Sequence, residues 1–392
     1  MRKLMTLALL SVVTTTIWAQ DIYTPVLQQI EQNSTTLQAL TSQLDATKLA
    51  NKTGLTPDNP EVEFGYLWGN PSLIGNRKDV SVSQSFDFPS AYVHRGKLSN
   101  LQNNSAEYEY RTQRMEVLLT AKTLCIELVY YNALREMFVR QVENANRIAD
   151  AHEKMMKEGE TNQLAYNKAV LNRTNMANEL LRIDLEREHL LSQIVALNGG
   201  QPISFGACSF DAVALPADFE SWYQSAEAEN PSLQYLRSQV EVANRQIKLS
   251  QAEGLPKFSV GYMGEFVGGE KFQGLTLGMS IPLWQNKNKV KQARAAATAS
   301  NRVVEDAKVQ YYNHLKALYA EAVGLNSTAK QYTDALQKAG SEDLLLKAYN
   351  GGELSLLEYL LEMEYYYTCY EKRLSAERDL ALAMANLTAY KL

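Results

Sequence analysis

Helix-breaking residues are missing from long parts of this sequence of 392 residues. None of its ten prolines lies between Pro89 and Pro202, and none follows Pro282. The segment 97–158 contains neither proline nor glycine, and its length far exceeds that of a mean helix, about 11 to 12 residues. The pattern predicts one continuous helix over 97–158, about 93 Å long.

Long uncharged runs are also missing. No stretch after the N-terminus approaches eighteen uncharged apolar residues, which a membrane-spanning helix would need.

In 97–158 the apolar residues instead recur every three or four positions, as in a packed coiled-coil seam. The seam is Met115, Leu118, Ala121, Cys125, Leu128, Tyr131, Leu134, Phe138, Val142, Ala145 and Ala149, with Leu119, Leu124 and Val129 widening it.

Motifs for catalysis and metal binding are scarce. The three cysteines are widely spaced and do not indicate a disulfide framework, and the four histidines share no spacing that suits zinc. His152, Met155 and Met156 share a helix turn, where a copper(I) or silver site is the alternative to methionines filling a helix seam. We find no nucleophile motif and no phosphate-binding glycine loop, so we expect no enzyme and no cofactor.

The N-terminus predicts export. Arg2 and Lys3 precede an apolar core from Leu4 to Val13, and a cleavage site follows at Ala19, which together are typical of a signal peptide over 1–19. The net charge of −5 gives no reason to expect a nucleic-acid partner.

Strand periodicity appears in two places, 60–89 and 256–283, where apolar and polar residues alternate. Strands of about ten residues with one apolar and one polar face are typical of outer-membrane barrels. A soluble β-sandwich face is the alternative. The predicted lipid-facing positions are Phe64, Tyr66, Trp68, Phe86, Phe88, Tyr262, Leu277 and Ile281.

The two halves of the chain resemble each other. Pro60, Gly65 and Tyr66 correspond to Pro256, Gly261 and Tyr262, and the pairs Gly159/Gly352 and Leu164/Leu357 follow at a similar offset. We predict repeat 1 over 20–199, with a β-hairpin at 60–89 and long helices at 97–158 and 160–198. A linker covers 200–230. Repeat 2 covers 231–392, with a β-hairpin at 256–283 and helices at 288–339 and 353–388.

The predicted fold class is mostly α with membrane β. Long antiparallel helix hairpins would form an α-barrel, and the two β-hairpins would supply four strands. Four strands cannot close a barrel, and an open edge is not tolerated in lipid. We therefore expect several copies to share one barrel in outer-membrane lipid.

Several segments together resemble the TolC-like outer membrane factor (outer membrane efflux protein) family. They are 59–62 (NPEV), 230–233 (NPSL), 280–283 (SIPL) and 349–357 (YNGGELSLL). The resemblance implies a homotrimer with a twelve-stranded barrel in the outer membrane of a Gram-negative bacterium and a periplasmic helical tunnel. It also implies a periplasmic adaptor (membrane fusion) protein and an inner-membrane pump of the resistance-nodulation-division type.

The same resemblance implies an exit duct of a tripartite efflux pump that passes small molecules or metal ions. It places the periplasmic gate at the helix-tip turns, Gly159 and Gly352. Glu358 and Glu362 are candidates for an acidic ring, and Tyr349 is a candidate latch whose family partner position is Ala165. The alternatives are the duct of a type I protein secretion system or a soluble exported coiled-coil adaptor or scaffold.

Overall fold

The computed structural model describes residues 21–340 and 342–392; the predicted signal peptide, 1–19, lies outside the described residues. The elements are α1 Thr24–Asn33, α2 Thr35–Ala50, β1 Glu61–Leu67, β2 Arg77–Phe86, α3 Pro89–Glu158, α4 Gln163–Leu197, α5 Phe219–Glu229, α6 Pro231–Ala252, β3 Lys257–Val267, β4 Glu270–Ser280, α7 Lys289–Ala339, α8 Glu342–Asn350 and α9 Leu356–Leu387. Short 3₁₀ turns occupy Ser72–Ile74 and Ala389–Lys391. The order helix, β-hairpin, long helix, helix occurs twice, as the predicted fold class requires.

The chain divides into two compact units, and α3 contributes to both. The first unit comprises Leu124–Val213 and the described residues up to Asn33. Ile30, Ile126, Met137, Ile183 and Ile194 are fully buried and form its core. Two polar contacts join α3 to α4 within this unit: Arg135 donates to the Asp184 carboxylate at 2.7 Å, and Arg187 donates to Asn132 at 2.7 Å.

The second unit comprises Ser34–Thr123 and Ala214–Leu392. In it α7 packs against both α6 and α9. Leu315, Tyr359 and Leu387 are among its most deeply buried side chains. The unit also contains all four strands, which form one antiparallel sheet in the order β1-β2-β3-β4.

Helix α3 is longer than predicted. It begins at Pro89 and not at residue 97, because proline is tolerated in the first turn of a helix, where its missing N–H would have no intrahelical partner. Gly96 lies inside the helix and does not end it. The 70 residues of α3 extend about 105 Å.

The predicted seam of α3 is buried except for Tyr131 and Val142, which are half-buried. Ile126, Val129 and Met137 are also fully buried, so the seam is wider than that of a two-stranded coil. One window of eighteen residues in α3 is long and apolar enough to cross a membrane, with a mean hydropathy of 1.3. Half of that window is buried within the chain, and its apolar side chains therefore serve as core.

Three other predicted helix boundaries were wrong, and one helix was not predicted. The helix predicted for 288–339 does end at Ala339, but a separate helix α8 follows, because Gly340 has a φ of +88° that interrupts the helix. Helices α4 and α9 begin at 163 and 356, not at 160 and 353, because Asn162 and Ser355 act as N-caps. The sequence predicts one helix over 21–51, but the structure has two, α1 and α2, which are separated at Ser34, whose hydroxyl caps α2.

A charged cluster lies where β2 leads into α3. The Asp87 carboxylate accepts from Arg95 at 2.5 Å and from Lys257 at 2.9 Å, and Arg95 also lies 3.6 Å from Glu253. The backbone N–H of Asp87 donates to the Tyr92 hydroxyl at 3.0 Å. Burial opposes ionisation of Asp87, but the hydrogen bonds from Lys257 and Arg95 outweigh it and lower the pKa of the carboxyl. This cluster ties together the ends of β2, β3, α3 and α6.

We expect Asp87→Asn to lower the free energy of unfolding by about 1.5 to 3 kcal/mol, because it removes the charge that both cations contact. Since folding lowers the pKa of Asp87, its contribution is present above about pH 4 and is lost as the pH falls through the folded pKa. Urea unfolding of the purified protein at pH 7 and pH 3 measures both effects. A destabilisation of the same size at the two pH values would contradict this assignment.

Candidate membrane-facing sheet and helix tips

The strand register sorts the sheet into two faces of opposite character. Residues paired across an antiparallel ladder lie on the same face. Val62 pairs with Val82, Val82 with Tyr262, and Tyr262 with Leu275, so one row crosses all four strands. The apolar face consists of the residues in this row and in the rows on the same side: Phe64, Tyr66, Lys78, Val80, Gln84, Phe86, Phe258, Val260, Gly264, Phe266, Lys271, Gln273, Leu277 and Met279.

The other side of the sheet, the polar face, holds every carboxylate of the four strands: Glu61, Glu63, Asp79, Glu265 and Glu270. Arg77 lies among them and contacts Asp79 at 2.8 Å and Glu265 at 2.9 Å. Small residues fill much of the remainder. At Gly261 a Cβ would lie only 2.8 Å from the Val82 carbonyl oxygen and 2.6 Å from the Thr276 hydroxyl oxygen, which explains why glycine stands there.

Five of the eight predicted lipid-facing residues lie on the apolar face within the strands, namely Phe64, Tyr66, Phe86, Tyr262 and Leu277. Trp68, Phe88 and Ile281 lie just beyond strand ends. The Trp68 ring packs edge-on against Tyr66, and the Phe88 ring lies 6.3 Å from that of Phe258, so these two extend the apolar face. Leu275 and Leu277 are 83% and 84% exposed in the single chain. Lipid contact itself stays a prediction.

The second helix tip is a turn between α8 and α9. Gly352 has a φ of +75°, and the Glu353 N–H donates to the Ala348 carbonyl at 2.9 Å. A glycine in this left-handed conformation commonly ends a helix. Ser355 and Glu358 then start α9 as a capping box: the Glu358 N–H donates to the Ser355 hydroxyl at 3.3 Å, and the Ser355 N–H donates to the Glu358 carboxylate at 2.8 Å.

Glu358, a gate candidate, therefore has a structural function in this chain. Hydrogen bonds from Ser355, through its side chain and its backbone, lower the pKa of the Glu358 carboxyl. Glu362 lies one helical turn further along α9, and both side chains are exposed. The pair thus presents two carboxylates on one side of the helix at spacing i, i+4.

Tyr349 packs inside the second tip. Its ring lies 4.9 Å from that of the buried Tyr359, and burial raises the pKa of its hydroxyl. The hydroxyl of Tyr367 donates to Glu342 at 2.7 Å. Both contacts hold α8 against α9.

The first helix tip, between α3 and α4, is built in the same way. Gly159 has a φ of +78°, and the Glu160 N–H donates to the Met155 carbonyl at 2.8 Å. Asn162 caps α4 by accepting from the Ala165 N–H at 2.9 Å.

Near this tip, His152 is buried and its pKa is lowered by burial. Met155 and Met156 are half-buried. Both alternatives for these residues, methionines filling a helix seam and a copper(I) or silver site, stay predictions. Among the described residues, no group of three His, Cys, Asp or Glu side chains could hold a metal ion.

Sequence reasoning missed three features of these regions. The sequence Ser355-Leu356-Leu357-Glu358 is a capping-box signal and could have assigned Glu358 a structural role. The Asp87 cluster joins residues far apart in sequence and had no local signal. The two lysines on the apolar face, Lys78 and Lys271, could be placed there only once the register was known.

Solved structures share this fold over most of its length. CusC, a protein whose structures describe transmembrane channel formation, has 15% sequence identity and a TM-score of 0.76, covering 94% of this chain and 91% of its own. The outer membrane protein VceC of Vibrio cholerae has 14% identity and a TM-score of 0.73, covering 94% and 95%. The open state of the MtrE outer membrane channel of Neisseria gonorrhoeae has 13% identity and a TM-score of 0.72, covering 93% and 88%.

No protein-family model and no curated protein sequence matches the chain. At these low identities the structural likeness establishes the fold. The chain has the fold of TolC-like outer membrane channels, and the predicted fold class is confirmed.

We expect Tyr349→Ala to loosen α8, because it removes a ring contact of the kind that contributes about 0.5 to 1.5 kcal/mol. Hydrogen exchange of the α8 amides should become faster. Tyr365→Ala is the matched control, because Tyr365 is on α9 and is 72% exposed. Equal exchange rates for α8 in the two variants would contradict a role for Tyr349 in holding the tip.

Proposed function

We propose that this protein is the outer-membrane channel of a tripartite efflux system. The observation that supports it best is a four-stranded sheet with one long apolar face and two outer strands, β1 and β4, each paired on one side only among the described residues. In a chain with the fold of outer-membrane channels, such a sheet is suited to one segment of a shared barrel.

Backbone chemistry requires more than one copy of the chain in the barrel. An unpaired strand edge in hydrocarbon leaves N–H and C=O groups without partners, at a cost of several kcal/mol each. Joining β4 of one copy to β1 of the next removes both edges. Three copies would give twelve strands, which is within the range known for outer-membrane barrels.

The polar face would then line the lumen and the apolar face would contact lipid. The long helices would extend from the barrel on the periplasmic side as a tunnel. A periplasmic adaptor and an inner-membrane pump of the resistance-nodulation-division type would complete the system, and the cargo would be small molecules or metal ions. The neighbouring structures are themselves described as outer membrane channels, which supports this assignment.

Two adjacent positions on β4 test the barrel. Leu275 is in the central row of the apolar face and Thr276 is on the polar face. We expect Leu275→Arg to impair membrane insertion, because an arginine at the lipid midplane costs about 2 to 4 kcal/mol. Thr276→Arg adds the same charge one residue away and should be tolerated, with reduced conductance in planar bilayers.

The readout is the yield of detergent-extracted trimer from the outer membrane, measured by light scattering. A soluble exported adaptor would leave the envelope in high salt without detergent, and its Leu275→Arg variant would remain soluble. Either result would reject the channel proposal.

We further propose that Glu358 and Glu362 form an acidic constriction at the periplasmic end, with Tyr349 supporting the tip that presents them. Their exposure and i, i+4 spacing on α9 support this role. The capping box complicates the usual alanine test, because Glu358→Ala removes a helix cap as well as a charge.

Glu358→Gln separates these functions. Glutamine keeps an oxygen that can accept from the Ser355 N–H, so α9 should start normally, whereas the negative charge is lost. We expect weaker cation preference in planar bilayers for Glu358→Gln, and weaker still for the double variant with Glu362→Gln. Unchanged reversal potentials under a salt gradient for both variants would remove these carboxylates from the gate.

A further inference from the structure

The last row of the apolar face contains two charged residues. Tyr66 pairs with Lys78, Lys78 with Phe266, and Phe266 with Lys271, so one row across all four strands alternates aromatic rings with lysines. Both lysines are exposed. The ammonium of Lys78 lies 6.0 Å from the centre of the Tyr66 ring, within the range of a cation–π contact.

These two cations face no opposing charge on their own side of the sheet. All carboxylates of the four strands, which the structure describes in full, lie on the polar face. By contrast, Arg77, one residue before Lys78, is on the polar face and is paired with Asp79 and Glu265. Arg77 on the polar face is therefore neutralised by carboxylates, whereas Lys78 and Lys271 on the apolar face are exposed to solvent in the single chain.

The position of this row fits the boundary of a membrane. Alternate residues on a strand are about 6.8 Å apart. The five rows from Phe86 to Tyr66 and Lys78 therefore extend about 27 Å along the strands. At a strand tilt of about 35 to 45° they span roughly 19 to 22 Å across the membrane, slightly less than the 25 Å apolar band of outer-membrane barrels, so the lysine row lies near one edge of that band. The lysine row is at the end near the β-turns, away from the helices. Trp68, 80% exposed, lies just beyond it.

We propose that Lys78 and Lys271 bind the phosphate groups of an outer-leaflet lipid. In their row, the Phe266 ring lies between the two lysines and the Tyr66 ring lies beside Lys78. The inference depends on the proposed function, since only a barrel exposes this row to a leaflet. The lysines would contact the phosphates, while the aromatic rings and the rows below would contact the acyl chains. The absence of carboxylates from this face removes any repulsion of an anionic headgroup.

The test uses the purified full-length oligomer in neutral detergent, with bisphosphorylated lipid A as the probe and native mass spectrometry as the readout. The comparison lipid is the same molecule with both phosphates removed. The variant is Lys78→Gln/Lys271→Gln. The matched control is Lys291→Gln/Lys330→Gln, which changes the net charge equally at two exposed lysines of α7.

We expect the wild-type protein to prefer the phosphorylated lipid. The Lys78→Gln/Lys271→Gln variant should bind it on the order of thirtyfold more weakly, because each cation near an anionic lipid contributes about one kcal/mol. The control pair should bind as the wild type does. Millimolar inorganic phosphate should not displace the lipid, because it cannot replace the acyl-chain contacts.

Equal binding of the two lipids, unchanged binding by Lys78→Gln/Lys271→Gln, or displacement by inorganic phosphate would overturn the proposal. If one of these results is obtained with a protein that still forms conducting trimers, the lipid proposal fails and the channel proposal stands. A protein that leaves the envelope without detergent would overturn both proposals.

Discussion

The hydrogen-bonding requirement of the sheet edges is the constraint on which the rest of this structure depends. A single chain cannot close a barrel, because β1 and β4 lie at opposite edges of its four-stranded sheet and do not pair with each other. In water such edges could be hydrated, but the broad apolar face beside them suits lipid, where hydration is not possible. In the proposed assembly of three chains, each edge strand pairs with a strand of a neighbouring copy, and the apolar face contacts lipid.

The ends of the strands must be held firmly if the register is to be kept. If one strand slipped by one residue, its side chains would change faces, and each of the four strands would then place at least one carboxylate on the apolar side. The Asp87 cluster fastens β2 and β3 to the helices that follow and precede them. Each hairpin is thereby anchored to the long helices from which it projects.

The two repeats have diverged at their tips. Helix α3 runs without interruption to Glu158, whereas the equivalent part of repeat 2 is broken at Gly340 into α7 and α8. The short helix α8 depends on two tyrosine contacts with α9. The second tip is thus reached through a short separate helix, and it is the tip at which Glu358, Glu362 and Tyr349 lie.

Much of this protein was determined by local sequence signals. The lack of helix breakers fixed the long helices, alternation fixed the strands and the glycines fixed the tip turns, because each depends on the chain within a few residues. The end of α7 at Ala339 was predicted as well, but the separate helix α8 between Gly340 and the second tip was not. Only the tertiary structure decided the cross-strand register, and with it the lysine row and the separation of charges. It also decided the Asp87 cluster and the capping function of Glu358, because these depend on which atoms meet after folding and not on residue type alone.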